Sequence, residues 1–383
     1  KSFTTNFEMK NILFSLFQFF LKVLDKFFPK SDNIVIFTLK SSIDFRDNVR
    51  FLFDSLSDSP KIECILLFYN DPLLHKSSVN FYSFSGILYW LRARYIVIHH
   101  GTQDIPFSHS IDFRRRNIVN LWHGITVKSL GYRIKNHSKD SLKSEIDNYR
   151  FMIGSSDLDS FAMQACFKKS GKNIWVTGLP RNDLLVCKDE NISKNLKKGL
   201  QWLENQINQR TMVLYMPTYR DNVDYNPKFS KEEIKQLESL LKSKNAVLGV
   251  KIHPKAPPIA FDSLPIINLS DCPCQEVGLF LRKADILVTD YSSVWVDFLL
   301  MDRQIVSYCP DLLNYEETRG LLYDYSYIFP GKINQTFELF LTELRKSFST
   351  SITEKQFRIK HLFHKFLDGK NSERVSKKIL SSL

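Results

Sequence analysis

Residues 284–298 read ADILVTDYSSVWVDF. Ile286, Leu287, Val288 and Thr289 make a short run suited to a buried parallel strand. Asp290, Tyr291, Ser292 and Ser293 break that run with polar residues. From Val294 the pattern turns helical, with Val294, Phe298 and Met301 able to share a face. A strand, a serine-rich turn and a helix start together make an anion site, because the first helical N–H groups are unpaired and the dipole is positive there. The two hydroxyls add donors. A plain N-cap on Ser292 or Ser293 produces the same spacing, and spacing does not separate the two readings.

The same strand-then-loop grammar extends in both directions. Apolar runs at 33–39, 62–68, 95–98, 118–122, 151–155 and 174–177 alternate with helical patterns at 46–56 and 84–94. Further runs at 211–216, 246–252, 266–267 and 304–307 flank helices at 232–242 and 275–283. This alternation predicts an α/β fold with parallel sheets, and 383 residues suit two domains rather than one. The expected division is a lead helix in 1–30, an α/β domain in 31–195, a second in 205–345, and C-terminal helices in 346–383 packing across both. The charged, Asn- and Lys-rich stretch 188–210 is read as the junction. Residues 131–148 are read as a mobile polar excursion, and 311–320 as a polar loop.

With 53 basic and 41 acidic residues the net charge is +12, which favours anionic partners. No RNA-binding signature, zinc-finger spacing or basic zipper is present, so nucleic acid is not expected as a partner. The six cysteines show no metal or disulfide spacing. His99 and His100 are adjacent, but side chains on an extended backbone point apart, so no metal site is read there. Residues 11–28, NILFSLFQFFLKVLDKFF, place Asn11, Ser15, Gln18, Lys22 and Asp25 on one narrow polar stripe of a helix. Lys22, Asp25 and Lys26 make it too short and charged to span a bilayer. It reads either as an interfacial helix on an anionic membrane surface or as a helix buried against the body.

Several stretches share a likeness. Trp122 to Lys128 (WHGITVK) is similar to a WHGTPLK motif, departing at Ile125 and Val127. Gly178 to Asp183 (GLPRND) is similar to GYPRND, with Leu179 for the aromatic. Pro217 to Asp221 follows a strand as PTYRD, and Lys251 to Pro254 as KIHP. The run from 284 to 320 and the closing DGKNSERV at 368–375 complete the series. In this order they resemble the CDP-glycerol glycerophosphotransferase family, the teichoic-acid primases and polymerases. The resemblance covers roughly residue 120 to the C-terminus.

That resemblance implies a GT-B-like fold, two Rossmann-like domains facing a cleft. It also implies an enzyme that moves glycerol phosphate from CDP-glycerol to a hydroxyl of a lipid-linked glycan or poly(alditol phosphate), releasing CMP. His123 and His253 are the implied catalytic pair, one base and one donor to the leaving phosphate, with the roles exchangeable. Gly124, Lys128, Arg181, Thr218, Arg220, Lys251, Pro254, Thr289, Asp290, Ser292, Ser293, Asp297, Glu316 and Arg319 are the implied substrate contacts. For Arg181 a brace between domains is an equal alternative, and Asp290 and Asp297 are read as orienting their neighbours or binding ribose. No resident cofactor is implied, and the lack of a carboxylate cluster leaves room only for loosely held Mg2+. CDP-ribitol is the alternative donor. A GT-B nucleotide-sugar transferase and a non-catalytic membrane-surface module are the other readings. A peripheral position on the cytoplasmic face of the cell membrane follows from the lead helix and a lipid-linked acceptor.

Overall fold

Two parallel sheets carry the chain, and each has its strands wound outward in both directions from a central pair. The computed structural model describes residues 2–41, 44–70, 75–134, 139–220, 228–252, 264 and 266–382. The first sheet contains β1 (Ser31–Leu39), β2 (Glu63–Phe68), β3 (Ser78–Asn80), β4 (Ala93–Ile98), β5 (Asn117–Asn120), β6 (Phe151–Gly154) and β7 (Ile174–Val176). Its order is β3-β2-β1-β4-β5-β6-β7. The second contains β8 (Thr211–Met216), β9 (Ala246–Val250), β10 (Ile266–Asn268), β11 (Ile286–Thr289) and β12 (Gln304–Ser307), in the order β10-β9-β8-β11-β12. All the recorded strand pairings are parallel. In β9 and β11 every residue is buried, as expected of strands covered by helices on both faces. This is the α/β, GT-B-like fold expected from the sequence.

The winding reverses between β1 and β4 in one sheet and between β8 and β11 in the other. Ligands of open α/β sheets bind outside the carboxyl ends of the strands at such a switch point. The loops that follow these four strands and their neighbours β5 and β9 are the ones that face a ligand.

Two readings of the sequence change and two gain detail. The stretch read as the domain junction contains the helix Lys194–Ile207, whose buried Leu196, Gly199, Leu200 and Leu203 form one face. A Cβ on Gly199 would meet Leu279 and Cys274 at 2.8 and 2.9 Å, so this helix lies tight on second-sheet residues. The excursion at 131–148 includes the helix Lys139–Asp147. The polar loop at 311–320 is mostly the helix Leu312–Thr318, held by buried Tyr315 stacked on Tyr291 at 4.0 Å. The helix after the serine turn is short: Val294–Phe298, continuing as a 3-10 turn over Leu299–Met301.

The C-terminal helices tie the two halves together. Gln356 Nε2 donates to the Arg303 carbonyl beside the second sheet, and the Lys365 N–H donates to the Ser155 carbonyl beside the first. The Asp183 carboxylate caps the helix Asn371–Leu380, accepting from the N–H groups of Asn371 and Ser372 at 2.8 Å each. That contact explains why GLPRND and DGKNSERV occur in one chain. They are two sides of one brace.

Candidate active site

A cleft of about 1130 Å³ opens where the carboxyl ends of the two sheets face each other. From the first sheet it is lined by Asp44, Arg46 and Asp47 after β1, by His99 and His100 after β4, and by His123 and Lys128 after β5. From the second it is lined by Met216 to Arg220 after β8, Lys251 after β9, and Ser292 after β11. Arg319 closes it from the end of the helix Leu312–Thr318.

The turn that presents His123 is pinned on both sides. Trp122 sits at φ 52°, a left-handed conformation that costs a bulky residue energy. Its N–H donates to Asn120 Oδ1 at 2.8 Å, and its carbonyl accepts from Asn48 Nδ2 at 2.9 Å. The Trp122 and His123 rings lie 4.6 Å apart, yet the imidazole still opens on the cleft. Its surface is open to the cleft, yet desolvation by the surrounding protein, then the nearby His99, His100 and Arg181, lower its pKa below that of free imidazole. The free ring is therefore neutral at neutral pH, and a bound anion raises its basicity toward proton acceptance. His99 is pulled down the same way, to about 4.

His99 and His100 correct the geometric argument made from sequence. Both lie beyond the end of β4, their rings meet edge to face at 4.4 Å, and both line the cleft. The His100 and His123 rings are 5.7 Å apart. Among the described residues, no group of three or more His, Cys, Asp or Glu is placed to hold a metal ion.

Lys128 is half-buried in the cleft wall. Burial lowers its pKa to about 8; Asp290 works against this and Arg319 and Arg220 add to it. Its segment is fastened to the second half of the chain: Lys128 bridges Leu321, and the Ser129 N–H donates to the Gly320 carbonyl at 3.0 Å. Lys128 and Arg319 thus meet as two cations without a paired carboxylate among the described residues, an arrangement that an incoming diphosphate would neutralise.

The remaining sequence-derived positions divide. Ser292 lines the cleft, whereas Ser293 is turned toward a smaller neighbouring cavity. Ser293 stands at the N-cap position without a side-chain capping bond, so the hydroxyl is not spent on the helix. Gly124 allows the halves to approach: a Cβ there would lie 3.0 Å from Ser293 Oγ and 3.3 Å from Arg181 Nη2. Thr218 and Lys251 line the cleft, with the Thr218 N–H donating to Asp290 Oδ1 at 2.8 Å. Arg220 also lines it but is held by Asp290 and, at 2.8 Å, by Asp311. Asp290 is buried and orients these two residues rather than facing the cavity. Thr289 Oγ1 donates to the Met216 carbonyl at 2.6 Å, a link between strands away from the cavity. Arg181 and Asp297 pair at 2.6 Å and line neither cavity. Glu316 is exposed on its helix and lines neither cavity. His253 and Pro254 lie outside the described residues.

Sequence reasoning missed Glu276. It caps no helix with its side chain, yet it is buried at the cleft edge, where Oε2 accepts the Asp47 N–H at 3.1 Å. Burial lifts its pKa to about 7. A single Glu beside a helix start carries no local signal; only the contact across 229 residues of chain reveals it.

Comparison with known proteins follows this geometry. A family model for CDP-glycerol:poly(glycerophosphate) glycerophosphotransferases matches residues 19–381. A teichoic acid ribitol-phosphate primase of Bacillus spizizenii is 26% identical over 377 residues, covering 94% of each chain. A teichoic acid glycerol-phosphate primase of the same organism is 31% identical over 226 residues, 56% of each. The solved structure of the wall teichoic acid polymerase TagF superposes with a TM-score of 0.76 at 19% identity, covering 99% of this chain and 96% of the other. At that identity the likeness speaks for the fold.

Proposed function

Because this chain belongs to the CDP-glycerol:poly(glycerophosphate) glycerophosphotransferase family, we propose that it transfers glycerol phosphate from CDP-glycerol to an acceptor hydroxyl in teichoic-acid synthesis. The observation that carries the reading is His123, a neutral imidazole in the cleft between the two switch points, beside Lys128 and Arg319. The acceptor O–H gives its proton to His123 while its oxygen attacks the glycerol-bearing phosphorus. A new P–O bond forms, the P–O bond to CMP breaks, and CMP leaves with the electron pair. Lys128 and Arg319 meet the charge that grows on the departing phosphate. Ser292 donates to the same group.

The relatives include both glycerol- and ribitol-phosphate enzymes, so CDP-ribitol is the second reading. CMP release assayed in parallel with CDP-glycerol, CDP-ribitol and a UDP-sugar tests the proposal. Turnover of CDP-glycerol in preference to the others is expected. Turnover of the UDP-sugar alone would sink it.

The reaction is further proposed to run at the cytoplasmic face of a membrane, on a lipid-linked acceptor. All six cysteines are unpaired, in keeping with a reducing compartment. Among the described residues no helix is long and apolar enough to cross a bilayer. The helix Ser2–Phe27 instead has two faces. Leu21 is fully buried, and Phe17 packs on Phe107 with ring centroids 5.3 Å apart. Asp25 is buried and paired with Arg116 and, at 2.7 Å, with Lys30. Arg115 Nη1 donates to the terminal carbonyl of Lys26 at 2.7 Å. The other face leaves Leu13, Leu16, Phe19, Phe20 and Phe27 between 56% and 78% exposed. One face of the helix is thus buried against the body, and the exposed face is the one the interfacial reading needs. A phenylalanine-rich face flanked by Lys22 and Lys26 suits an anionic interface. Deleting the helix would strip buried Arg116 of its carboxylate, so point changes are the cleaner test. Leu16→Glu with Phe20→Glu should abolish sedimentation with anionic liposomes while a water-soluble acceptor is still used. Unchanged sedimentation would remove this helix from membrane binding.

A further inference from the structure

A second cavity, of about 300 Å³, shares His123 with the cleft. His100, His123, Lys128 and Arg319 line both spaces. Its volume is at the lower end of small-molecule sites, about 300–1,000 Å³. Direct transfer needs the attacking hydroxyl and the leaving group on opposite sides of one phosphorus, with the base on the hydroxyl's side. Two spaces that share the imidazole in their lining can meet that need.

The outer wall of the smaller cavity differs in character from the cleft. Leu142, Glu145 and Ile146 come from the helix Lys139–Asp147; Trp122, Leu130 and Tyr149 complete it. Glu145 is held in place: Oε1 accepts the Tyr149 hydroxyl at 2.6 Å and the Thr102 N–H at 3.3 Å. Its approach depends on Gly101, where a Cβ would fall 2.1 Å from Glu145 Oε1. Oε2 has no hydrogen bond among the described residues. A fixed carboxylate repels phosphate and accepts hydroxyl donors. Beside it the half-buried Trp122 offers an apolar ring face. Carboxylate and ring together suit a hydroxyl-rich, uncharged group, with any phosphate kept toward Lys128 and Arg319.

We propose that this cavity is the acceptor subsite: it takes the neutral polyol or sugar end of the acceptor and presents one hydroxyl to His123. The proposal rests on the alditol-phosphate transfer reading above. The donor's own glycerol has the same hydroxyl chemistry, so the test must separate the two occupants.

Leu142→Trp fills the cavity, and Glu145→Gln keeps its shape while removing the charge. The full chain is assayed with CDP-glycerol and a soluble glycerol-phosphate oligomer ending in a free glycerol. Each variant should raise the oligomer KM at least tenfold, in line with about 1.5–3 kcal/mol for a lost hydrogen bond to a charged group. The CDP-glycerol Kd by calorimetry should stay within about twofold, since Leu142 and Glu145 line the smaller cavity and not the cleft. Should Leu142→Trp fail to fold, Glu145→Gln decides alone. An unchanged oligomer KM overturns the subsite, and so does a weakened CDP-glycerol Kd, which would assign the space to the donor. Wild-type protein that releases no CMP from either CDP-alditol overturns the transfer reading itself, and the subsite with it.

Discussion

His123→Ala should lower turnover of CDP-glycerol by about 10²–10⁴-fold, the range typical of a general acid–base group, and leave thermal unfolding nearly unchanged. The two halves of that expectation have separate grounds. The ring packs on Trp122 and faces the cleft, while the bond that anchors this turn uses the His123 carbonyl, which accepts from Arg181 Nη1 at 2.8 Å. Alanine keeps the carbonyl and loses only the imidazole. The pH profile adds a sign. In the free enzyme burial and the nearby His99, His100 and Arg181 hold the His123 pKa below 6.5, so the acid limb of kcat/KM should fall below that of free imidazole. A bound diphosphate brings negative charge, which favours the protonated ring and raises its pKa. The acid limb of kcat should therefore lie at higher pH than that of kcat/KM, because the two report the complex and the free enzyme respectively. Turnover within tenfold of wild type by a folded alanine variant would take His123 out of the chemistry.

Much of the scaffold behind this site is readable because it is local. β8 and β12 occupy 211–216 and 304–307, the bounds that their apolar runs set. Each run is buried by helices and bounded by polar residues, so hydrophobicity alone marks its ends. The helix Leu312–Thr318 was not readable in that way. LLNYEET buries only Tyr315, and its helicity depends on a stack with Tyr291. β3 is three residues on the edge of the first sheet, too short for a pattern. The helix Lys139–Asp147 is polar enough to look like a solvated loop, yet it walls a cavity. His99 and His100 were judged by strand geometry after the strand had already ended.

The site residues follow the same division. Motifs located His123, Lys128, Ser292 and Arg319, which face the cleft. They leave Asp290 and Asp297 between orienting their neighbours and binding ribose, and place Thr289 as a contact. All three hold the cleft in shape, and their side-chain partners lie 70 to 116 residues away. A linear sequence shows that such polar residues are there but not which charge answers which.

Arg181 is where that distinction has the largest energetic consequence. Its Nη1 meets Asp47 at 3.2 Å and its Nη2 meets Asp297 at 2.6 Å, so one guanidinium joins a carboxylate from each half of the chain. Burial lifts the Asp297 pKa in spite of Arg181. At Asp47 burial also opposes the charge, but Arg181 wins and holds the carboxyl below its usual range. Arg181→Met would leave two carboxylates without their shared cation, Asp297 buried and Asp47 at the cleft edge. Removing one partner of a buried pair costs about 3–5 kcal/mol, so a marked fall in melting temperature is expected. The sign with pH is fixed by the same groups. Without the cation both carboxyl pKa values rise above their unfolded values, and stability is lost as pH climbs through them. The deficit should therefore be larger at pH 8 than at pH 5. Adding Asp297→Asn to Arg181→Met should recover part of the loss, since one of the opposed charges is gone. Turnover should fall too, because the His123 carbonyl loses its anchor and the close approach of Gly124 to Ser293 loses its clamp. If Arg181 instead gripped the donor's phosphate, the methionine variant would melt like wild type and bind CDP-glycerol weakly, and Asp297→Asn would restore nothing. Melting curves at the two pH values, with donor affinity measured on the same samples, separate a brace from a phosphate contact.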